Sequence, residues 1–385
     1  MAVTKIYLIR HAEAEGNLYR RIQGWYDGLI TEKGYRQIAA LEERFRDVHI
    51  DAVYSSDRFR TKTTAAAIYK PKGLELNTRQ ALREIHMGVW EDVTWAEAER
   101  LDPEQMRYFN TIDPRFSVEG SETFDQIRER MSRALLNIAE NHPGETVAVF
   151  AHGTVIRNVL AFFQGIPISE TSAAVPHGDN TCVSLIEVES GQVTIKYFND
   201  NSHLHTNASN LACQTWQKEP GAKAVNLWFR PLDMEHNSQF YYDAREEAWL
   251  SIHGSMLHFD GDGFLRDAIA HSRYDVRSVM QVMQKNQPVG LLQLDMLRDA
   301  EKGVGSIPFF YVLPEYRKKG LGVQMLGQAV STYRPLGRKY LRLRCAPDNH
   351  VAQRFYKRYG FKKIGEDPGS RVPLDIMEMY IGYDV

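Results

Sequence analysis

An arginine and a histidine stand together at the end of the first apolar segment of the chain. Lys5–Ile9 is followed at once by Arg10 and His11. Other charged or titratable side chains come shortly after later apolar segments: Arg60, Glu84 and His152. Histidine is a nucleophile that titrates near neutral pH, and the planar arginine fork matches phosphate oxygens. These residue types therefore indicate phosphoryl-group chemistry, provided that the fold brings them together.

Short strands alternating with helices are expected to position these side chains. The helix is predicted over Ser121–Asn141, where apolar residues recur at three- and four-residue steps, with Ser121 as its cap. Strands that alternate with helices predict a mostly parallel sheet, and such sheets bind ligands at the carboxyl ends of their strands. We therefore expect Arg10 and His11 to lie at a ligand site. The predicted buried strands are Lys5–Ile9, Ala52–Tyr54 and Thr146–Phe150.

The pattern changes after a predicted closing hairpin of Thr181–Val188 and Gln192–Phe198. Residues 199–221 are polar, turn-rich and aperiodic, which is typical of a linker. A second α/β series then begins, and a length of 385 residues suits two domains. Its predicted strands are Val225–Phe229, Val279–Met283, Val289–Leu294, Ile307–Leu313 and Tyr340–Arg344, and its helices Val323–Val330 and Val351–Tyr359. We predict domains over 1–204 and 223–385, joined by a linker over 205–222.

Composition argues against several classes of function. A formal net charge of -2 provides no global attraction for nucleic acid or an anionic membrane. No uninterrupted apolar run approaches membrane-spanning length. The three cysteines, Cys182, Cys213 and Cys345, are scattered and lack the spacing of a disulfide framework or a zinc site. We expect a cytoplasmic protein with no metal, nucleic-acid or membrane partner, and the sequence does not indicate an oligomeric state.

Residues 1 to about 204 resemble the histidine phosphatase superfamily, also called phosphoglycerate-mutase-like. The motifs that carry the resemblance are Arg10-His11-Ala12-Glu13 with Asn17, Ser55-Ser56 with Arg60, Glu84, Gly120-Ser121-Glu122, and His152-Gly153. The resemblance implies an α/β/α sandwich with a mostly parallel sheet. It implies that His11 is the phosphoryl-accepting nucleophile and that Glu84 protonates the leaving oxygen. It also implies a phosphate site made of Arg10, Asn17, Arg60 and His152, of which His152 is also a catalytic residue.

Three nearby features are interpreted from the residues themselves. Arg60 is in register with Thr64-Ala65, so Arg58 is expected to be a solvated helix residue, and Trp90 to pack a loop. Residues 85–119 hold three basic and eight acidic residues, which disfavours a doubly phosphorylated intermediate and an anionic substrate remainder. We therefore expect hydrolysis of a phosphate monoester, with a mutase-like phosphotransferase as the alternative.

A second motif follows the predicted strand Ile307–Leu313. The loop Arg317-Lys318-Lys319-Gly320-Leu321-Gly322 precedes a helix, where glycines let backbone N–H groups approach a pyrophosphate. With Asn349 and Tyr356 downstream, residues 223–385 resemble the GNAT acyltransferase superfamily. The resemblance implies a mixed α/β fold and a thiolate-protonating Tyr356. It also implies that acetyl-CoA or another acyl-CoA is bound by Val312, Arg317, Lys318, Gly320, Gly322 and Asn349.

The general base of such a transferase is not placed by the sequence. No carboxylate lies between Lys302 and Pro314, and Glu315 is the nearest acid. The expected protein is a bifunctional enzyme that hydrolyses a small-molecule phosphate ester and transfers an acyl group to an amine. The alternative is a phosphatase whose C-terminal domain binds coenzyme A without catalysis.

Overall fold

The structure, a computed structural model, describes residues 2–213, 225–368 and 373–383. The chain divides into two compact α/β units, which comprise most of residues 1–224 and 225–385 respectively. The predicted linker 205–222 lies partly outside the described residues. Its described part includes a short helix, Asn210–Cys213. The boundaries at 204 and 223 remain predictions.

The first unit is built on a six-stranded sheet in the order β3-β2-β4-β1-β5-β6. The first four strands in this order are parallel, and β5 and β6 form the predicted antiparallel hairpin at one edge. The sheet is therefore mostly parallel, as predicted. Its strands are β1 (Thr4–Arg10), β2 (Ala52–Ser55), β3 (Leu76–Thr78), β4 (Thr146–Ala151), β5 (Val183–Glu189) and β6 (Gln192–Asp200).

Helices cover this sheet and close a core of buried side chains that includes Ile9, Phe45 and Phe150. The helices are α1 (Glu15–Tyr19), α2 (Glu32–Phe45), α3 (Phe59–Tyr69), α4 (Trp95–Leu101), α5 (Pro103–Thr111), α6 (Phe124–Asn141), α7 (Gly153–Phe163), α8 (Thr171–Ala174) and α9 (Asn210–Cys213).

The predicted cap of α6 is wrong by two residues. The helix begins at Phe124, and Thr123 is its cap. The Thr123 hydroxyl accepts from the Gln126 N–H, and the Gln126 side chain accepts from the Thr123 N–H. This reciprocal capping box satisfies two backbone donors at once, which Ser121 lies too far upstream to do.

The second unit is built on a seven-stranded mixed sheet in the order β12-β13-β11-β10-β9-β8-β7. The helices Gln239–His253 and Gly261–Tyr274 of this unit were not predicted from the sequence. The strands are β7 (Trp228–Pro231), β8 (Val279–Gln284), β9 (Gln287–Asp295), β10 (Val304–Val312), β11 (Tyr340–Cys345), β12 (Lys362–Asp367) and β13 (Leu374–Tyr380). The helices are α10 (Gln239–His253), α11 (Gly261–Tyr274), α12 (Gly322–Tyr333) and α13 (His350–Arg358).

Strands β10 and β11 pair in parallel over only part of their length. The pairing runs from Val304 opposite Tyr340 to Ile307 opposite Leu343 and then stops, although β10 continues to Val312. The two strands therefore separate beyond Ile307. This leaves backbone groups of β10 available on that edge.

Within the described parts of the chain, no helix combines the length and the apolar character needed to cross a membrane.

Candidate active sites

The carboxyl ends of β1 and β4 bring the two predicted histidines together. Arg10 ends β1 opposite Ala151, the last residue of β4, so the residues that follow, His11 and His152, leave the sheet side by side. Their ring centroids lie 5.3 Å apart. Both side chains are buried, with His11 5% and His152 0% exposed. Adjacent parallel strands thus account for a pair separated by 140 residues of sequence.

His11 is held with one ring nitrogen available for attack. Its Nδ1 lies 2.7 Å from the carbonyl oxygen of Ala12. Because a carbonyl oxygen only accepts, Nδ1 carries the proton and Nε2 bears the lone pair. Burial, followed by the positive charges of Arg60 and Arg10, holds the pKa of His11 well below its usual value. The neutral, nucleophilic form is therefore the one that the folded protein favours.

His152 presents buried polar atoms without a protein partner. Neither Nδ1 nor Nε2 of this fully buried ring has a hydrogen-bond partner. Burial, and after it the charges of Arg60 and His11, keeps the pKa of His152 well below its usual value. Buried polar groups in proteins are nearly always hydrogen-bonded. The unpaired ring beside His11 therefore indicates a place for a polar ligand.

Two arginines accompany the histidines, and each has a buried Nε atom without a partner. Arg10 donates from one terminal nitrogen to the carbonyl oxygen of Gly178, at 2.5 Å. Its Nε lies against the start of α7, so close that a Cβ on Gly153 would be only 3.2 Å from Nε. Arg60 is completely buried and pairs with Asp27, at 3.2 Å. Two cations with unused N–H groups beside two histidines suit an anionic phosphoryl group.

A three-residue loop that the sequence did not single out fixes Arg60. The Arg60 guanidinium donates to the carbonyl oxygens of Gly24, at 2.7 Å, and Tyr26, at 2.8 Å. The N–H groups of the same loop, those of Gly24, Trp25 and Tyr26, donate to the carboxylate of Glu91. No short-range pattern links residues 24–26 with 60 and 91, so only the fold reveals this arrangement.

Glu84 lies at the N-terminus of α7, beside His152. One carboxylate oxygen accepts from the N–H groups of Ile85, at 2.9 Å, and Val155, at 3.1 Å, and the other from Thr154, at 3.0 Å. The residue is 8% exposed. These three bonds fix the carboxyl group at the same strand ends as the two histidines. Its position suits proton exchange with a leaving oxygen.

The remaining predicted residues of this site have identifiable local roles. The side-chain oxygen of Asn17 accepts from the Ala14 N–H at 3.1 Å, and its amide nitrogen is a donor suited to an anion. Glu13 accepts from the Thr31 hydroxyl at 2.7 Å. Trp90 is buried and its ring packs against Phe116, with centroids 5.9 Å apart, in agreement with a packing role.

Arg58 differs from its prediction as a solvated helix residue. It is the cap that precedes α3 rather than a member of the helix, and its side chain is only 21% exposed. Its Nε is buried and has no hydrogen-bond partner. Its charge contributes to the lowered pKa of His152, after the larger effects of burial, Arg60, His11 and Arg130. The Arg58 side chain is therefore partly buried and its charge acts on His152, unlike that of a solvated helix residue.

Sequence comparison agrees with this geometry. The family described as histidine phosphatase superfamily (branch 1) matches residues 6–201, which is half of the chain. The chain belongs to the histidine phosphatase superfamily.

Individual relatives cover the same histidine phosphatase domain. A metal-independent phosphoserine phosphatase of Arabidopsis thaliana is 34% identical over 210 residues, 52% of this chain and 84% of that protein. Phosphoserine phosphatase 1 of Hydrogenobacter thermophilus is 29% identical over 202 residues, 52% of this chain and 95% of that protein. The solved structure of Bacillus stearothermophilus YhfR has a TM-score of 0.51 and 32% identity, covering 52% of this chain and all of that one.

The second predicted site of this histidine phosphatase superfamily member lies in the other unit, between β10 and α12. Lys318 and Gly320 have positive φ angles, 62° and 74°, so the loop turns sharply before the helix begins at Gly322. A Cβ on Gly322 would lie 2.9 Å from the Phe355 ring, so only glycine fits there without displacement. Left-handed residues in such loops turn backbone N–H groups toward a common anion site.

The predicted cofactor residues of this loop have contacts within the chain. Arg317 donates to the Val312 carbonyl oxygen, at 2.9 Å, and forms an ion pair with Glu247, at 2.6 Å. Asn349 caps α13, with its side-chain oxygen accepting from the Ala352 N–H at 3.1 Å. These contacts fix the positions of the two side chains.

Tyr356 lies on α13 beside the separated end of β10. Its ring contacts Phe310, with centroids 6.1 Å apart, and its side chain is 7% exposed. Burial, with a smaller effect of Cys345, raises the pKa of Tyr356, so its hydroxyl remains protonated. A protonated hydroxyl near the strand edge suits donation to a thiolate.

Carboxylates reach β10 from other elements, which the sequence could not show. Glu247 on α10 accepts a hydrogen bond from the Tyr311 hydroxyl, and Asp295 on β9 pairs in register with Ser306. The GNAT acetyltransferase family matches residues 234–361, so the chain carries a GNAT domain after its histidine phosphatase domain.

Over the residues described, no cluster of three or more histidine, cysteine or acidic side chains is arranged to hold a metal ion.

Proposed function

We propose that the first domain hydrolyses a small-molecule phosphate monoester through a phosphohistidine on His11. Nε2 attacks phosphorus, the bond to the ester oxygen breaks, and Glu84 gives that oxygen a proton. Water then attacks phosphorus, Glu84 takes a proton from it, and inorganic phosphate leaves with His11 regenerated. Arg10, Asn17, Arg60 and His152 hold the phosphoryl oxygens. The observation that carries the proposal is the pair of buried neutral histidines, one with an available Nε2 and one without a partner.

Hydrolysis is favoured over transfer to a second acceptor. Two relatives of the domain have names that describe phosphoserine phosphatases, although a probable phosphoglycerate mutase of Photorhabdus laumondii is also 31% identical over 166 residues. A mutase-like phosphotransferase is the alternative function.

The test compares release of inorganic phosphate with transfer. The intact protein is supplied with nitrophenyl phosphate, alone and with an added alcohol acceptor. We expect one phosphate per nitrophenol released, and His11→Ala should abolish both products. Production of the phosphorylated acceptor in place of phosphate would establish the transferase alternative, and undiminished turnover by His11→Ala would refute the nucleophile. Because no metal is required by this proposal, a chelator should leave the rate unchanged.

We also propose that the second domain transfers an acyl group, most simply acetyl, from acyl-CoA to an amine. The turn at Lys318 and Gly320 suits the pyrophosphate, and Arg317 and Asn349 are proposed to contribute to the same site. The free edge of β10 at Val312 suits the extended pantetheine arm, which can pair with it like an added strand. Tyr356 would give its proton to the departing thiolate. The family match supports acyl-CoA use by this domain.

Free thiol release distinguishes catalysis from binding alone. Acetyl-CoA is offered to the intact protein with a panel of primary amines, and thiol is followed with a thiol-reactive dye. Acceptor-dependent thiol release that falls at least tenfold in Tyr356→Phe supports the transferase. Binding of acetyl-CoA without thiol release from any amine would establish the alternative, a coenzyme A-binding module without catalysis.

A further inference from the structure

Trp25 lies on the leaving-group side of the proposed phosphatase site. The indole N–H of Trp25 donates to the backbone carbonyl oxygen of Glu84, the proposed proton donor, at 3.0 Å. Two guanidinium groups lie against the Trp25 ring, Arg83 at 4.5 Å and Arg58 at 5.9 Å from its centroid. The substrate remainder, which is attached to the oxygen that Glu84 protonates, therefore lies near these cations.

Only one of these two arginines is fully paired within the protein. Arg83 binds both carboxylate oxygens of Asp57, one of them from Nε at 2.7 Å. Arg58 approaches the same carboxylate only to 3.7 Å, and its buried Nε makes no hydrogen bond. Asp57 is thus already occupied by Arg83. The charge of Arg58 is left with a weak partner in a largely buried position.

The arginines around the histidines also outnumber the carboxylates that pair closely with them. Three arginines of the site have a carboxylate in close contact: Arg60 with Asp27 at 3.2 Å, Arg83 with Asp57, and Arg130 with Glu122 at 2.7 Å. Among the residues that the structure describes, Arg10 and Arg58 have no such close pair. Arg10 adjoins His11 and serves the phosphoryl group. Arg58 is a further cation on the leaving-group side, and a partly buried cation without a close counter-charge gains from a ligand carboxylate.

We propose that Arg58 determines specificity by binding a carboxylate on the substrate remainder, so that the preferred substrates are phosphate esters of hydroxy acids or hydroxy amino acids. This inference rests on the proposed phosphatase function. The guanidinium fork of Arg58 supplies parallel N–H donors that match a carboxylate. The carboxylate in turn provides the counter-charge that Asp57 does not.

The acidic excess of residues 85–119 predicts a neutral or cationic remainder, but three of its eight carboxylates have close partners within the protein. Glu91 accepts loop N–H groups, Asp92 pairs with Arg21, and Asp113 pairs with Arg115. A charge count along the segment therefore does not by itself describe the field at the histidines. The arginine side chains beside Trp25 are the better guide to the remainder.

The test uses two esters that differ by one carboxylate, O-phosphoserine and O-phosphoethanolamine. Both carry the same phosphate and amine groups. For the intact protein we expect kcat/KM to be at least tenfold higher with phosphoserine. Arg58→Gln should lower kcat/KM for phosphoserine by about tenfold to a hundredfold, the usual effect of losing a charge-assisted hydrogen bond. The value for phosphoethanolamine should change less than twofold, which also shows that the variant is folded.

Two further variants complete the experiment. Arg58→Lys keeps the positive charge but loses the guanidinium fork. Its kcat/KM for phosphoserine should therefore lie between the values of the parent protein and of Arg58→Gln. Arg79→Gln removes an exposed arginine that lies against Tyr54, and it should leave both substrates unaffected. Equal losses on both esters, or no loss on phosphoserine, would overturn the role of Arg58 while phosphate release continued to support the phosphatase function. Absence of phosphate release from any ester by the parent would overturn the phosphatase function itself.

Discussion

Glu91 and Arg60 are connected through the backbone of one loop, Gly24–Tyr26. The Glu91 carboxylate accepts the N–H groups of Trp25 and Tyr26, each at 2.7 Å, and that of Gly24 at 3.2 Å. The Arg60 guanidinium donates to the carbonyl oxygens of Gly24 and Tyr26. Glu91 therefore positions Arg60, the arginine proposed to bind phosphate, without contacting it through a hydrogen bond.

Replacing this carboxylate should weaken phosphate binding through Arg60. In Glu91→Gln one acceptor oxygen becomes an NH₂ group, which cannot accept the loop N–H groups. We expect KM for nitrophenyl phosphate and the inhibition constant of inorganic phosphate to rise together by about tenfold, from the loss of one or two charge-assisted hydrogen bonds. A role confined to stability would lower the midpoint of thermal unfolding and leave both constants unchanged. Glu99→Gln, which alters an exposed carboxylate on α4, is the matched control.

The rate lost on replacing Glu84 should increase with the basicity of the leaving group. Glu84→Gln retains the size of the side chain and removes its proton. General acid catalysis typically contributes a factor of about 10² to 10⁴, so alkyl phosphates should lose rates of that order. Nitrophenyl phosphate, whose leaving group departs without protonation, should lose far less. Equal losses on both substrates would assign Glu84 to structure or binding, since it also ties together the N–H groups of Thr154 and Val155.

The strand ends of the first domain were predictable because parallel strands impose a simple geometry. Arg10 with His11 and His152 follow buried strands, and adjacent pairing of β1 and β4 necessarily brings them together. The same logic gave the mostly parallel sheet and its antiparallel hairpin. The hydrophobic pattern of each strand and the identity of the residues that follow it carry this information, and both are local in the sequence.

Contacts between distant segments were not predictable from the same signals. Glu91 follows Trp25 by 66 residues. Nothing in either segment indicates that the Glu91 carboxylate accepts hydrogen bonds from the backbone N–H groups around Trp25. The sequence predicts a solvated Arg58 because its neighbour Arg60 matches the motif, whereas in the structure its guanidinium lies 5.9 Å from the centroid of the distant Trp25 ring. In the second domain, Glu247 approaches β10 from α10, a helix that the sequence analysis did not predict.

The pH dependence of phosphohistidine formation should reflect the lowered pKa of His11. A free histidine is half protonated near pH 6.5 and loses nucleophilicity below it. Burial together with Arg60 and Arg10 shifts that pKa well below 6.5, so His11 stays neutral as the pH falls through this value. We therefore expect the nitrophenol burst rate, corrected for ionisation of the substrate, to be nearly constant between pH 7.5 and about 6. A burst rate that halves near pH 6.5 would contradict the lowered pKa.

The central claim is that His11 Nε2 carries the phosphoryl group, and trapping the phosphoenzyme tests it most directly. The intact protein is mixed with a ³²P-labelled monoester, quenched in alkali within the first turnover, and digested for mass spectrometry under conditions that preserve phosphohistidine. We predict label in an acid-labile, alkali-stable linkage on the peptide that contains His11, and none in His11→Ala. Label on another residue, or phosphate release with no trapped phosphoenzyme at any quench time, would contradict the account.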